Sequence, residues 1–181
     1  WLLWARSGER LYYRWAETVS RHLMDVDIVH WTGAEVSPAR KIGQFYPMSV
    51  AHFCRSPRSY SSHNDPIAFN LMYYYLTGYR RALDVATLAG ERELDFDLAA
   101  GGLGRHHMVT GHNQLEMYRA VWDERFWDNA WKAIGKAMDT TLGKPYRDHT
   151  YTNEFFQDIG DFTGDSRLKA AVLTVADGLC A

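Results

Sequence analysis

The sequence has little cysteine, and it contains no apolar run near the length of about 20 residues that spans a bilayer. Its two cysteines, Cys54 and Cys180, stand far apart and do not define a disulfide framework. The chain begins with Trp1 rather than methionine, which predicts an excised piece of a longer protein. These absences argue against a membrane partner and against a disulfide scaffold. The sequence predicts no nucleic-acid partner either.

Acidic residues are absent from one long segment. No Asp or Glu occurs from Val36 to Asn64, although the whole chain has 22 of them against 20 Lys and Arg. We call this segment, residues 36–64, the basic insertion. Cations interleaved with aromatic and histidine side chains suit an anionic ligand, whose charge they attract and whose rings they stack on. Long irregular insertions in compact domains are usually functional. The segment therefore predicts binding of an acidic substrate through Arg55, Arg58, His52 and Asn64.

A short pattern repeats four times and predicts helical hairpins. Each copy follows an apolar run, carries Gly or Trp122 at its centre and precedes an amphipathic run. Glycine suits the residue just after a helix, and the polar residues that follow suit the next helix start. The four copies are Arg6–Leu11, Leu76–Arg81, Val121–Phe126 and Phe162–Arg167. We therefore expect hairpin turns at Gly8, Gly78, Trp122 and Gly164.

Hydrophobic periodicity predicts the fold class. Apolar residues recur at helical spacing in the second helix of each pair: Leu11, Trp15, Val19 and Leu23; Phe126, Ala130, Ile134 and Ala137; Leu168, Ala171, Val172, Val175, Ala176 and Leu179. The first helices are apolar around more of their circumference, which predicts burial on most sides. We expect an all-α chain without strands. Alternating enclosed and half-exposed helices are typical of an α/α toroid, and four hairpins predict a single domain, residues 1–181, that forms part of such a ring.

Histidines stand where the first helices of the hairpins are expected to begin. His63 lies 15 residues before Gly78, and His149 lies 15 residues before Gly164. His112, with Asn113 beside it, is expected to open the remaining first helix. Helix N-termini expose unpaired N–H groups that attract anions. These histidines are therefore candidates for one common cleft, although any one of them can simply cap its helix.

A second segment without acids, Leu98–Leu115, carries Arg105, His106, His107 and His112. We expect it to be a loop. Its glycines do not follow a strand, so they do not indicate a nucleotide-binding loop. Its histidines lack the spacing of a known zinc motif. The sequence therefore predicts no metal and no cofactor.

Several motifs resemble one family of polysaccharide-degrading enzymes. The segments Ala16–Thr18 and Arg21–Trp31, together with Ser62–Asp65 and Tyr73–Gly78, look like the C-terminal α/α toroid of exo-acting rhamnogalacturonan lyases, which bacterial ulvan lyases share. Its most specific part is Met-Asp-Val-Asp-x-x-His, residues 24–30. The resemblance extends from about Leu11 to the end of the chain. It implies a secreted or periplasmic protein whose parent chain carries β-rich domains.

The resemblance implies β-elimination on a polysaccharide that contains uronic acid. The reaction requires neutralisation of the uronate carboxylate, removal of the C5 proton and protonation of the C4 oxygen. We expect His63 as the base or neutraliser, followed by His112 and His30, with Arg55, Arg58, Asn64 and Arg105 facing the carboxylate. Two alternatives stay open. One is a glycoside hydrolase that uses two carboxylates among Asp25, Asp27, Asp65 and Glu116. The other is a non-catalytic glycan-binding domain of helical repeats.

Overall fold

The computed structural model of the chain describes residues 1–31, 41–45, 66–96, 105–141 and 150–180. The all-α prediction is confirmed, because the described residues form helices and contain only an isolated antiparallel bridge between Ile28 and Phe45. A single π-helical turn, Leu23–Asp27, follows the second helix. The α-helices are α1 Leu2–Ser7, α2 Arg10–His22, α3 Ile67–Thr77, α4 Arg80–Glu93, α5 Arg105–Val121, α6 Glu124–Thr141, α7 Thr150–Thr163 and α8 Ser166–Cys180.

The four predicted hairpin turns are confirmed, and they share one geometry. Gly8, Gly78 and Gly164 adopt φ angles of 70, 70 and 71°, in the left-handed region that favours glycine. The N–H of each donates to the carbonyl four residues earlier, which closes the preceding helix. A hydroxyl group precedes each glycine. In α3, for example, Thr77 donates to the Tyr73 carbonyl and accepts from the Tyr79 N–H.

The third turn departs from this pattern at two positions. Trp122 stands where the other turns have glycine, with φ 56°, and Val121 stands where they have serine or threonine. The Trp122 N–H still donates to the Tyr118 carbonyl over 2.7 Å. A left-handed conformation costs an L-residue about 1–2 kcal/mol relative to the usual helical region. This turn is therefore built with a strained residue where glycine would fit.

The chain divides into two compact units, Trp1–Asp95 and Phe96–Ala181. In the first unit, α3 packs on α4 and the end of α3 meets α2. Tyr73 lies in this interior, stacked on Trp1 with ring centroids 4.8 Å apart. The predicted apolar stripe lies on one face of α2, and its residues Leu11, Trp15 and Val19 are exposed.

The second unit has its own core, to which α5, α6, α7 and α8 all contribute. Phe126, Ala130 and Ile134 line the buried face of α6, as their spacing predicts. Gly111 lies where α5 approaches α6 and α7, since a Cβ there would lie 2.7 Å from the Phe155 ring of α7 and 2.8 Å from the Ala133 side chain of α6. A glycine at this position therefore lets three helices meet.

One predicted boundary was wrong. Helix α5 begins at Arg105, so His112 lies two turns inside the helix rather than at its start, and much of the segment Leu98–Leu115 is helix rather than loop. Helix α3 begins at Ile67, with Pro66 in the capping position. Among the helices of the described segments, none combines the length and hydropathy needed to cross a membrane.

Candidate functional site

The sequence-predicted residues fall into three groups. His63, His149, His52, Asn64, Arg55 and Arg58 lie outside the described residues, as do Cys54 and most of the basic insertion. Arg105 opens α5, but its side chain is likewise outside the description. Asn113 lies in α5 and is only 4% exposed, so the structure places it in the interior of the second unit rather than at its surface. Of the predicted catalytic residues, His30 and His112 lie within the described part of the chain.

His30 belongs to the first unit and closes the segment that carries the family resemblance. Its Nε2 lies 2.5 Å from the carbonyl oxygen of Met24, which is buried in the π-helical turn. Asp25 from the same turn pairs with Arg81 of α4 over 2.6 Å. Asp27 is buried, with its carboxylate 3.5 Å from His22. Through these contacts, residues 24–30 connect α2 to α4.

His112 lies among polar side chains from two helices of the second unit. Its Nε2 is 2.7 Å from an Asp158 carboxylate oxygen of α7 and 3.9 Å from the Glu116 carboxylate, one turn further along α5. The imidazole side chain is 25% exposed, so it is partly desolvated yet open to solvent. Beneath it lies Phe155, with ring centroids 6.2 Å apart. We call His112, Glu116, Arg119 and Asp158 the polar cluster.

Arg119 connects the two helices of the polar cluster. Its guanidinium lies 2.5 Å from the Glu116 carboxylate and donates to the Asp158 backbone carbonyl over 3.2 Å. It also lies over the Phe162 ring, 5.2 Å from the centroid. At one end of the interface between α5 and α7, Gly111 faces Phe155, and at the other end Arg119 lies over Phe162. The two helices therefore run in the same direction. The arginine thereby ties the Glu116 carboxylate on α5 to the backbone of α7 at Asp158.

The polar cluster can perform two kinds of chemistry. An imidazole whose Nε2–H is held by a carboxylate keeps a lone pair on Nδ1 and can take up a proton there. The same His112, Glu116 and Asp158 atoms lie within 4.8 Å of one another, and nitrogen and oxygen donors of this kind suit a divalent cation. With a neutral imidazole, the two carboxylates and one guanidinium leave one net negative charge.

Sequence reasoning missed Asp158 and Arg119 and named Glu116 only for the hydrolase alternative. His112, Glu116 and Arg119 are spaced by four and three residues, which places them on one helix face, so the sequence did contain that signal. Asp158 lies 46 residues from His112. No local pattern relates residues so far apart, and only the packing of α5 on α7 brings them together.

An aromatic surface adjoins the polar cluster. Tyr118 contacts Trp122, Trp127 and Phe162, with ring centroids 5.3, 5.4 and 6.0 Å away, and Trp127 stacks on Trp131 at 5.4 Å. We call Tyr118, Trp122, Trp127, Trp131 and Phe162 the aromatic platform. Trp122 and Phe162 are exposed, and the other three rings are half-buried. Desolvation raises the pKa of Tyr118, and its hydroxyl lies 3.4 Å from Glu124.

A cleft of about 480 Å³ opens on another side of the second unit, between α7 and α8. Its lining includes Phe156, Gly160, Asp161 and Lys169. On α7, Phe156 and Gly160 lie roughly opposite Asp158, given about 3.6 residues per turn. The cleft contains no histidine among its lining residues. It is therefore separate from the polar cluster.

Comparison of the chain with protein-family models, with curated proteins and with solved structures finds no match. The resemblance to the toroid of rhamnogalacturonan lyases thus stays a prediction from the sequence motifs.

Proposed function

We propose that this chain is the helical domain of a polysaccharide lyase that cleaves uronic-acid-containing polysaccharides by β-elimination. The observation that supports the proposal is the contact of 2.7 Å between His112 and Asp158. In this arrangement Asp158 accepts the Nε2–H of His112, and Nδ1 takes the C5 proton of the uronate. The electron pair of the C5–H bond forms the C4–C5 double bond as the C4–O bond breaks. The departing oxygen takes up a proton from solvent, and the imidazolium of His112 returns the C5 proton to solvent, so no water is added to the product.

Neutralisation of the uronate carboxylate needs more positive charge than the polar cluster provides. Arg119 is already engaged by Glu116 and by the Asp158 carbonyl. Arg105 opens the same helix two turns before His112 and is the predicted cation of the second unit. An arginine suits this task because its guanidinium binds a carboxylate through two parallel hydrogen bonds. We therefore assign carboxylate binding to Arg105 and proton removal to His112.

Substitutions in the polar cluster test this proposal on a panel of acidic polysaccharides, read by the ultraviolet absorbance of the unsaturated product. We expect His112→Gln to lose roughly 10²-fold or more in turnover, as loss of a general base does. Asp158→Asn should lower turnover as well, because the amide presents a different partner to Nε2. Asp161→Asn is the matched control, an acid of the same helix that lines the cleft instead. Full product formation by a folded His112→Gln protein would contradict the assignment.

A retaining glycoside hydrolase is the second candidate, and one observation favours it. The donor atoms of Glu116 and Asp158 lie within 4.8 Å of each other, near the separation of about 5–5.5 Å typical of retaining enzymes. Against it, His112 and Arg119 already engage these carboxylates, whereas a general acid must hold a proton for the leaving group. A hydrolase would release reducing ends without the ultraviolet-absorbing product. The same assay therefore separates the two reactions.

A further inference from the structure

Trp122 adopts a left-handed backbone conformation, and the equivalent residue in the other three turns is glycine. Its φ angle is 56°. The strain is not offset by burial, since the indole is 66% exposed. Strained backbone conformations of non-glycine residues are found preferentially at functional sites. The indole at this turn therefore has a role beyond folding.

The surroundings of Trp122 indicate what that role is. Its ring meets Tyr118 edge to face, and Tyr118 links it to Trp127, Trp131 and Phe162. The surface that results is aromatic rather than aliphatic, and Trp122 and Phe162 are its exposed rings. Contiguous exposed apolar patches of this kind mark binding surfaces. A flat ring suits a ligand that is itself flat on one side.

The aromatic platform is continuous with the polar cluster. Phe162 follows Asp158 by one turn of α7, and the Arg119 guanidinium lies over the Phe162 ring. His112 and Trp122 are ten residues apart on α5 and its turn, a separation of about 15 Å along a helix axis. A chain-like ligand that reaches His112 can therefore extend over the rings.

We infer that the aromatic platform is a glycan-binding subsite, on which sugar rings of an acidic polysaccharide pack against Trp122 and its neighbours. One face of a pyranose ring exposes mainly C–H groups, and these carry the partial positive charge that the negative face of an aromatic ring attracts. The hydroxyl and carboxylate groups stay at the rim of the rings, in contact with solvent. The choice of an acidic sugar rests on the proposed function, and the stacking rests on the platform itself.

Two substitutions of Trp122 separate binding from folding. Trp122→Gly places at this turn the residue that the other three turns use, so we expect a melting temperature equal to or above that of the original chain. Trp122→Ala keeps the strain and should melt below Trp122→Gly. Because both remove the ring, both should weaken binding of uronate oligosaccharides about tenfold or more in calorimetric titrations. Trp15→Ala, at an exposed tryptophan of the first unit, is the matched control and should bind normally.

The outcomes distinguish the subsite from the proposed reaction. If the chain forms the unsaturated product, Trp122→Gly should raise KM about tenfold or more and leave kcat within about twofold, since the ring lies away from the reacting atoms. If no unsaturated product forms but oligosaccharides bind, and Trp122→Gly loses that binding, the result supports the glycan-binding subsite and contradicts the proposed lyase reaction. Unchanged affinity in both Trp122 variants overturns the subsite. Absence of binding to any glycan overturns it too, and so does preference for an unrelated peptide.

Discussion

Tyr73 places an ionisable hydroxyl in the interior of the first unit, where it is 1% exposed. Burial raises the pKa of Tyr73 to about 12, and the hydrogen bond to Glu17 adds to the rise. That bond is 3.0 Å long and joins α3 to α2. The sequence predicted a core position for this aromatic residue. It did not predict that its hydroxyl would be paired with a carboxylate from another helix.

The stability of the first unit should therefore decrease at alkaline pH. An unfolded tyrosine titrates near its ordinary pKa of 10.0, whereas the folded one holds its proton to about 12. The stabilising contribution of the neutral hydroxyl is thus complete below pH 10 and is lost as the pH rises through about 12. Two pKa units correspond to about 3 kcal/mol. Urea unfolding at a series of pH values measures this loss, with tyrosinate absorbance followed in parallel.

Tyr73→Phe provides the comparison for that measurement. The variant lacks the titrating hydroxyl, so its unfolding free energy should decline less steeply above pH 10 than that of the original chain. The other tyrosines titrate in both proteins, and the difference between the two curves isolates Tyr73. Parallel curves would show that the Tyr73 hydroxyl is not protected from ionisation in the fold.

At the scale of elements, the position of α5 against α6 and α7 decides whether the polar cluster forms. Gly111 allows this approach, since a methyl group there would meet Phe155 and Ala133 well inside van der Waals distance. The neighbouring residue is His112, whose contact with Asp158 spans the same pair of helices. The sequence showed a glycine beside a histidine and suggested a helix start. In the fold the glycine is a packing position in the middle of a helix.

Gly111→Ala should destabilise the second unit by about 1–3 kcal/mol, because overpacking forces neighbouring side chains from their preferred positions. It should also separate α5 from α7 and lower any activity that depends on His112. Gly135→Ala is the matched control, since nothing lies within 4 Å of its added methyl group in α6. There we expect a gain of up to about 1 kcal/mol from improved helix propensity. Denaturant unfolding of the two variants measures both effects, and equal stability in both would contradict the packing role of Gly111.

At the scale of the whole molecule, charge is distributed unevenly. The net charge is −2, yet the basic insertion carries no acid among residues 36–64. The described part of the basic insertion is Lys41–Phe45. Phe45 forms the antiparallel bridge with Ile28, and the Lys41 ammonium lies 3.8 Å from the Asp95 carboxylate. Gly43 is required there, because its φ is 82° and a Cβ would meet the Leu88 carbonyl oxygen of α4.

The basic insertion should contribute to the affinity for acidic glycans. Replacing Arg55 and Arg58 together by alanine is expected to weaken binding of an acidic polysaccharide several-fold at low ionic strength and to reduce its dependence on salt. Binding of a neutral polysaccharide should not change. Arg14→Ala, an exposed cation of α2, is the control. Titrations at a series of salt concentrations give the slopes, and an unchanged slope in the double variant would remove the electrostatic argument.

The sequence by itself determined the helical class and the four turns. Helical spacing of apolar residues and a glycine after each helix are local signals, and they act within a few residues. The spacing of His112, Glu116 and Arg119 also indicates their common helix face, although Arg119 was not predicted as a site residue. Only the tertiary structure decided that α5 starts at Arg105, that Asp158 meets His112, and that the α2 stripe stays exposed. Those outcomes depend on which helices pack together over tens of residues, and local periodicity contains no information about that choice.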